Sequence, residues 1–160
     1  MKKHASFFDR HNWSNNRFAW IYAFLILIFT VIFAIALKLS GIYEGVALRS
    51  INIFFILIGF ILLLWDYRRS KKRDLTYVQA FLLLLRTGIY FCLLFLPMLL
   101  VFLSNDQGAL YLVESHETFS SDYPVIQLVM STYMVTVPTV VIAAMTIAYS
   151  ANFGKKPNPG

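Results

Sequence analysis

Charge and sulfur are both scarce in this chain, and each scarcity removes a class of protein. Charged residues make up 14% of its 160 residues, against about a quarter in soluble globular domains, too few to coat a water-facing surface. There is one cysteine, Cys92, so no intramolecular disulfide can form, and a thiolate metal site has no second ligand of its kind. Cys92 lies inside an apolar run and reads as a small hydrophobe. The three histidines, His4, His11 and His116, all fall outside the apolar runs, which leaves no pair to ligate haem within a helical bundle. No glycine-rich phosphate loop, serine nucleophile elbow or carboxylate dyad occurs. The stretch Glu114-Ser115-His116-Glu117 places imidazole beside carboxylate, but it lacks a second histidine and the i, i+4 ligand spacing a helical zinc site needs, so it reads as a solvated acidic loop. The expectation is a protein with no metal, no cofactor and no catalytic residues.

Hydrophobic residues are abundant, at 59% of the chain, and they are gathered into long runs. At about 1.5 Å per residue, about 20 apolar helical residues match a hydrocarbon core of about 30 Å. The runs predict an all-α, polytopic four-helix bundle forming a single membrane domain over residues 1–160, with spans at about 18–38, 47–66, 76–104 and 124–150. The first run could be a signal peptide, since Lys2 and Lys3 precede it and Ala34-Ile35-Ala36 faintly resembles a cleavage site. The long segment before it, with Asp9 and Trp13, favours an uncleaved span. The third run exceeds the bilayer core; a helix capped by Asp74, lying partly in the interface and crossing the core from Thr87 to Leu103, accommodates the excess. Trp65 and Tyr67 read as an interfacial anchor at the end of the second span.

Between the second and third runs lies Arg68-Arg69-Ser70-Lys71-Lys72-Arg73. Loops retained in the cytoplasm carry Lys and Arg, so this connection, residues 67–74, is assigned to the cytoplasm. Eleven of the fourteen cations fall on that side: Lys2, Lys3, Arg10 and Arg17, the five of the connection, and Lys155 and Lys156 in the tail 151–160. Lys38 and Arg49 fall on the other, and Arg86 lies near the inner interface. Both termini are therefore expected inside, with residues 105–123 forming a periplasmic loop. The net charge of +6 could suggest nucleic acid, but cations confined to the ends of apolar runs serve topology and anionic headgroups instead. The expected partners are the bilayer, a membrane protein or a second copy of the chain.

A few residues stand out within the spans. Arg86 follows four leucines, and an intramembrane charge marks a site unless it snorkels to the headgroups; near the inner end of its span, snorkelling is the preferred reading and anion recognition the alternative. With Arg68, Arg69, Lys71, Lys72 and Arg73 it makes up the candidate anion or lipid-headgroup contacts. Pro97 and Pro138 each remove a backbone hydrogen bond, to the carbonyls of Leu93 and Met134, and read as kinks near mid-span that Thr136 and Thr139 could relieve. Asn52 and Gln127, near the outer ends of their spans, are candidates for an interhelical hydrogen bond. Ser131, Ala143, Ala144, Thr146 and Ala148 permit close packing of the last span. Mid-membrane polarity in the first two spans is limited to Thr30.

Tyr77, Gln79, Ala80 and Phe81 match an aromatic-x-Gln-Ala-Phe stretch at the start of a second hairpin. With four spans, both ends inside and a basic turn, the chain resembles the small bacterial membrane proteins grouped as domain of unknown function 4199, over nearly its whole length. The resemblance implies a multi-pass protein of the bacterial inner membrane and brings no catalytic residues with it. The functional expectation is a non-enzymatic accessory, scaffolding or self-associating membrane protein. A small transporter or channel protomer, with Arg86 and the two prolines framing a pathway, is the alternative, and a lipid-acting enzyme the third choice.

Overall fold

The computed structural model describes residues 13–39, 45–72, 75–105 and 124–152. They form four helices: α1 Asn15–Leu39, α2 Gly45–Lys71, α3 Tyr77–Asn105 and α4 Pro124–Asn152. Among the described residues there are no strands. Stretches Asn15–Ala36, Tyr77–Val101 and Val129–Ala151 are long and apolar enough to cross a membrane. Among the described residues α2 supplies no such stretch; its last turns carry Asp66, Arg68, Arg69 and Lys71.

Two helix starts are built by one device. At α1, Ser14 is the N-cap: its Oγ accepts from the Arg17 backbone N–H at 3.3 Å, and Trp13 before it meets Phe18 with ring centroids 5.2 Å apart. That is a hydrophobic staple, N′ against N4. At α3, Thr76 and Gln79 form a reciprocal capping box, Thr76 N–H to Gln79 Oε1 and Gln79 N–H to Thr76 Oγ1, each 3.4 Å. Leu75 and Ala80, at the staple positions, are both buried. The cap of α3 is thus Thr76 and the helix begins at Tyr77; the expected cap, Asp74, lies outside the described residues. Helix α4 opens with Pro124 at its first position, where the missing N–H costs nothing.

The expected 67–74 connection is shorter than its sequence suggests. Helix α2 continues through Arg68, Arg69, Ser70 and Lys71, because straight-chain cations are good helix formers. It stops at Lys72, whose φ of 48° lies in the left-handed region and turns the chain toward α3.

Helix α3 packs most extensively on α4 and next on α1, while α2 packs on α1 and α4. The helices therefore ring in the order α1, α2, α4, α3, with α1 and α4 at opposite corners. Pairing α1 with α3 sets two parallel helices side by side. Asn16 meets Arg86, and one turn on Trp20 stacks on Tyr90 at 4.4 Å, so the register holds along both helices.

The interior is narrow and apolar. Phe18, Phe60, Phe91, Ile56, Leu63 and Leu84 are fully buried, with Ala23, Ala80, Ala144 and Ala148 as small contact points. Gly59 faces Ile26, and Gly88 faces Val140, so closely that a Cβ at either glycine would collide. In lipid, where apolar burial gives little drive, such close approach supplies the dispersion that holds helices together. The outward surface is equally apolar, including Phe24, Phe29 and Ile32 on α1, Phe54 and Ile61 on α2, Leu93 and Val101 on α3, and Met134 and Ile142 on α4. Apolar residues both inside and out are the signature of a bundle solvated by acyl chains.

Candidate functional site

Among the described residues, polar contacts between helices concentrate where the N-termini of α1 and α3 meet the C-termini of α2 and α4. Asp66, 6% exposed, accepts from the Tyr22 hydroxyl at 2.9 Å and from Ser70 Oγ at 3.5 Å. Next to it the Tyr67 hydroxyl donates to Asn15 Oδ1 at 2.8 Å, and the Tyr67 ring meets Phe18 edge-on at 5.2 Å. These contacts close α1 on α2. The expected anchor of Trp65 and Tyr67 therefore divides: Trp65, 61% exposed, faces outward with the Arg69 guanidinium 5.5 Å from its ring, whereas Tyr67, with Asp66 beside it, turns inward. They continue the buried row of Phe60 and Leu63 at helical spacing.

The cations of this end have separate places. Arg68 reaches across to α4 and donates to the Ala151 carbonyl at 2.8 Å, satisfying a C-terminal group of that helix. Its Nε is buried without a hydrogen bond. Arg17 lies over Trp13 at 4.9 Å, Lys71 is half-buried and Lys72 exposed; Arg73 is outside the described residues. Arg86 points back toward the start of its helix, as helical side chains do, and donates to Asn16 Oδ1 at 2.6 Å.

Beside Arg86 lies a cleft of about 210 Å³ between the ends of α1, α2 and α3, lined by Asn15, Tyr67, Gln79 and Arg86 on its polar side and by Leu75, Leu82 and Leu83 on its apolar side. Sequence reasoning picked out Arg86 but missed Asn15, Asn16 and Asp66. A usable signal existed: Ser14 before Asn15-Asn16 marks a helix start, and a start places those carboxamides at the level of the neighbouring helix ends.

Deeper in the bundle the polar groups turn inward on their own helices. Thr87, Thr136, Thr139 and Thr146 each donate to the carbonyl four residues earlier, at 2.8 to 2.9 Å. Thr136 and Thr139 therefore serve Thr132 and Val135, and not the Met134 carbonyl that Pro138 leaves unpaired. Helices α3 and α4 run unbroken through Pro97 and Pro138, and both prolines are exposed on the bundle surface. With Gly88 facing Val140, the two prolines lie about 10 Å apart along the axis at about 1.5 Å per residue, so they do not face one another at one depth. Thr30 is buried and its hydroxyl has no hydrogen-bond partner. The side chains of Asn52 and Gln127, the segment 106–123 with its acidic residues, and the tail from 153 lie outside what is described. Among the described residues no group of His, Cys, Asp and Glu could hold a metal. No known protein family, curated protein or solved structure matches the chain.

Proposed function

We infer that the chain is a four-span protein of a bacterial inner membrane, both termini cytoplasmic, that acts without catalysis as an accessory, scaffolding or self-associating component, in keeping with its resemblance to the domain 4199 proteins. The observation that carries this reading is the distribution of polarity among the described residues: helix-to-helix polar contacts at one end, hydroxyls folded back on their own helices below it, and an apolar outward surface. A solute route needs facing polar groups at mid-depth; among the described residues Thr87, Thr136 and Thr139 are spent on local carbonyls, and Thr30 is buried without a polar partner to face it. Helix α2 serves as the fourth span in this reading, its apolar stretch running from Ile51 to Trp65 and its charged last turn standing in the interface. The cation asymmetry supports the orientation.

Purification in mild detergent, with particle mass and co-purifying proteins measured, tests the function. The expected result is a particle heavier than one chain, holding either a stoichiometric partner or further copies. A monomer without partners that conducts solutes in liposomes would overturn the reading. Reporter fusions after Lys72 and Lys156 should report cytoplasm, and one at Glu114 periplasm.

A further inference from the structure

We propose that the cleft beside Arg86 binds the phosphate of an anionic phospholipid, with one acyl chain descending along α3. The proposal rests on the membrane reading above, in which this end of the bundle lies at the headgroup level. Its basis is the polarity of the cleft wall. Three carboxamides stand there or at its edge, and each has its oxygen occupied. Asn15 Oδ1 accepts from the Tyr67 hydroxyl, Asn16 Oδ1 from Arg86, and Gln79 Oε1 from the Thr76 N–H. An amide whose oxygen is engaged presents its NH2 group, two donors, to whatever comes next. The helix cap and the Tyr67 contact thus fix the wall as donors.

Arg86 adds a guanidinium with five N–H groups, and among the described residues it makes one hydrogen bond, to Asn16. Among the described residues no carboxylate lines the cleft; Asp66, next to Tyr67, is engaged by Tyr22 and Ser70. A concave site whose described wall is cationic and rich in donors is complementary to a phosphate, which a guanidinium fork can take bidentately.

Size and surroundings select a lipid over a free ion. A cleft of about 210 Å³ has room for a phosphate and part of a headgroup but not for the chains. The chains have a track. Arg86 is followed at helical spacing by Ile89 and Leu93, 50% and 59% exposed, then by exposed Pro97 and Leu100, one apolar stripe leading from the guanidinium toward the far end of α3. Leu82 borders the cleft itself.

The test uses the full chain purified in detergent, titrated with dioleoylphosphatidylglycerol and followed by native mass spectrometry, with dioleoylphosphatidylcholine as the zwitterionic comparator. Gln79→Glu and Asn15→Asp keep the oxygen that accepts from Thr76 or Tyr67 but replace the donor NH2 with a negative oxygen. Acids in the first turn favour a helix, so both variants should fold. Each should weaken phosphatidylglycerol binding roughly tenfold or more, as should Arg86→Gln, a factor equal to about 1.4 kcal/mol. Phosphatidylcholine should bind more weakly than phosphatidylglycerol to the unaltered chain, and excess inorganic phosphate should displace little lipid. Unchanged phosphatidylglycerol binding in Gln79→Glu and Arg86→Gln would overturn the proposal, as would equal binding of the two lipids. Displacement by inorganic phosphate would replace the lipid with a free anion. Loss of the lipid from a particle that keeps its partner or its copies leaves the scaffold reading standing, so the two fail separately.

Discussion

Gly88→Ala should change the sign of its effect on stability with the residue at position 140. In the native bundle a Cβ on Gly88 would run into Val140 Cγ1, and valine in a helix is held in one rotamer, so the methyl cannot swing aside. Relief must come from separating α3 and α4, the most extensively packed pair. Overpacking of this kind costs about 1–3 kcal/mol, while replacing glycine by alanine inside a helix returns about 1 kcal/mol. The net expectation is a loss of up to about 2 kcal/mol. Val140→Ala removes the obstructing atom and leaves Phe60 Cζ at 3.4 Å from the new Cβ, an ordinary contact. In that background Gly88→Ala should stabilise by about 1 kcal/mol. The coupling, about 1–3 kcal/mol, is read from a double-mutant cycle by reversible unfolding in mixed micelles. An equal effect of Gly88→Ala in the two backgrounds would refute the close approach of α3 and α4 at this level.

Two further outcomes follow from the polar end. Tyr22→Phe removes a hydroxyl from a buried carboxylate and should cost about 1–2 kcal/mol by the same unfolding assay, the upper part of the range for bonds inside membrane proteins because the acceptor can carry charge; no loss would mean Asp66 does not hold α1 to α2. Lys72→Gly should stabilise by up to about 1 kcal/mol, since glycine adopts φ of 48° without the Cβ penalty, whereas Lys72→Ala, which removes the charge alone, should not.

Helix positions were the most readable part of the sequence, because an apolar run of span length has few other uses. The runs expected at 76–104 and 124–150 agree closely with α3 and α4, at Tyr77–Asn105 and Pro124–Asn152. Ends were less readable. Arg68 to Lys71 carry the charge of a loop but have the propensity of a helix, and propensity prevailed; Asp74 is a good cap by type, yet Thr76 has Gln79 three residues on and a buried Leu75 before it. What hydropathy cannot express is azimuth and neighbour order. Nothing in the runs says that α1 lies beside α3, and without that pairing Asn16 and Arg86 are unrelated residues seventy positions apart. The same blindness put both Pro97 and Pro138 near mid-span on residue count, when packing offsets them.

The α1–α3 pairing also bears on how the chain is made. During synthesis the first hairpin enters the membrane before α3 exists, and at about 5–20 residues per second the stretch from Lys71 to Asn105 takes roughly 2–7 s to emerge. Through that interval α1 lacks one of its two neighbours. Tyr22 with Asp66, and Tyr67 with Asn15, join residues of the first hairpin alone, so its alignment can be locked before the later helices arrive. Trp20 and Asn16, left facing lipid, are then the docking points that Tyr90 and Arg86 complete. The hairpin is a nascent template on which the second half of the chain assembles.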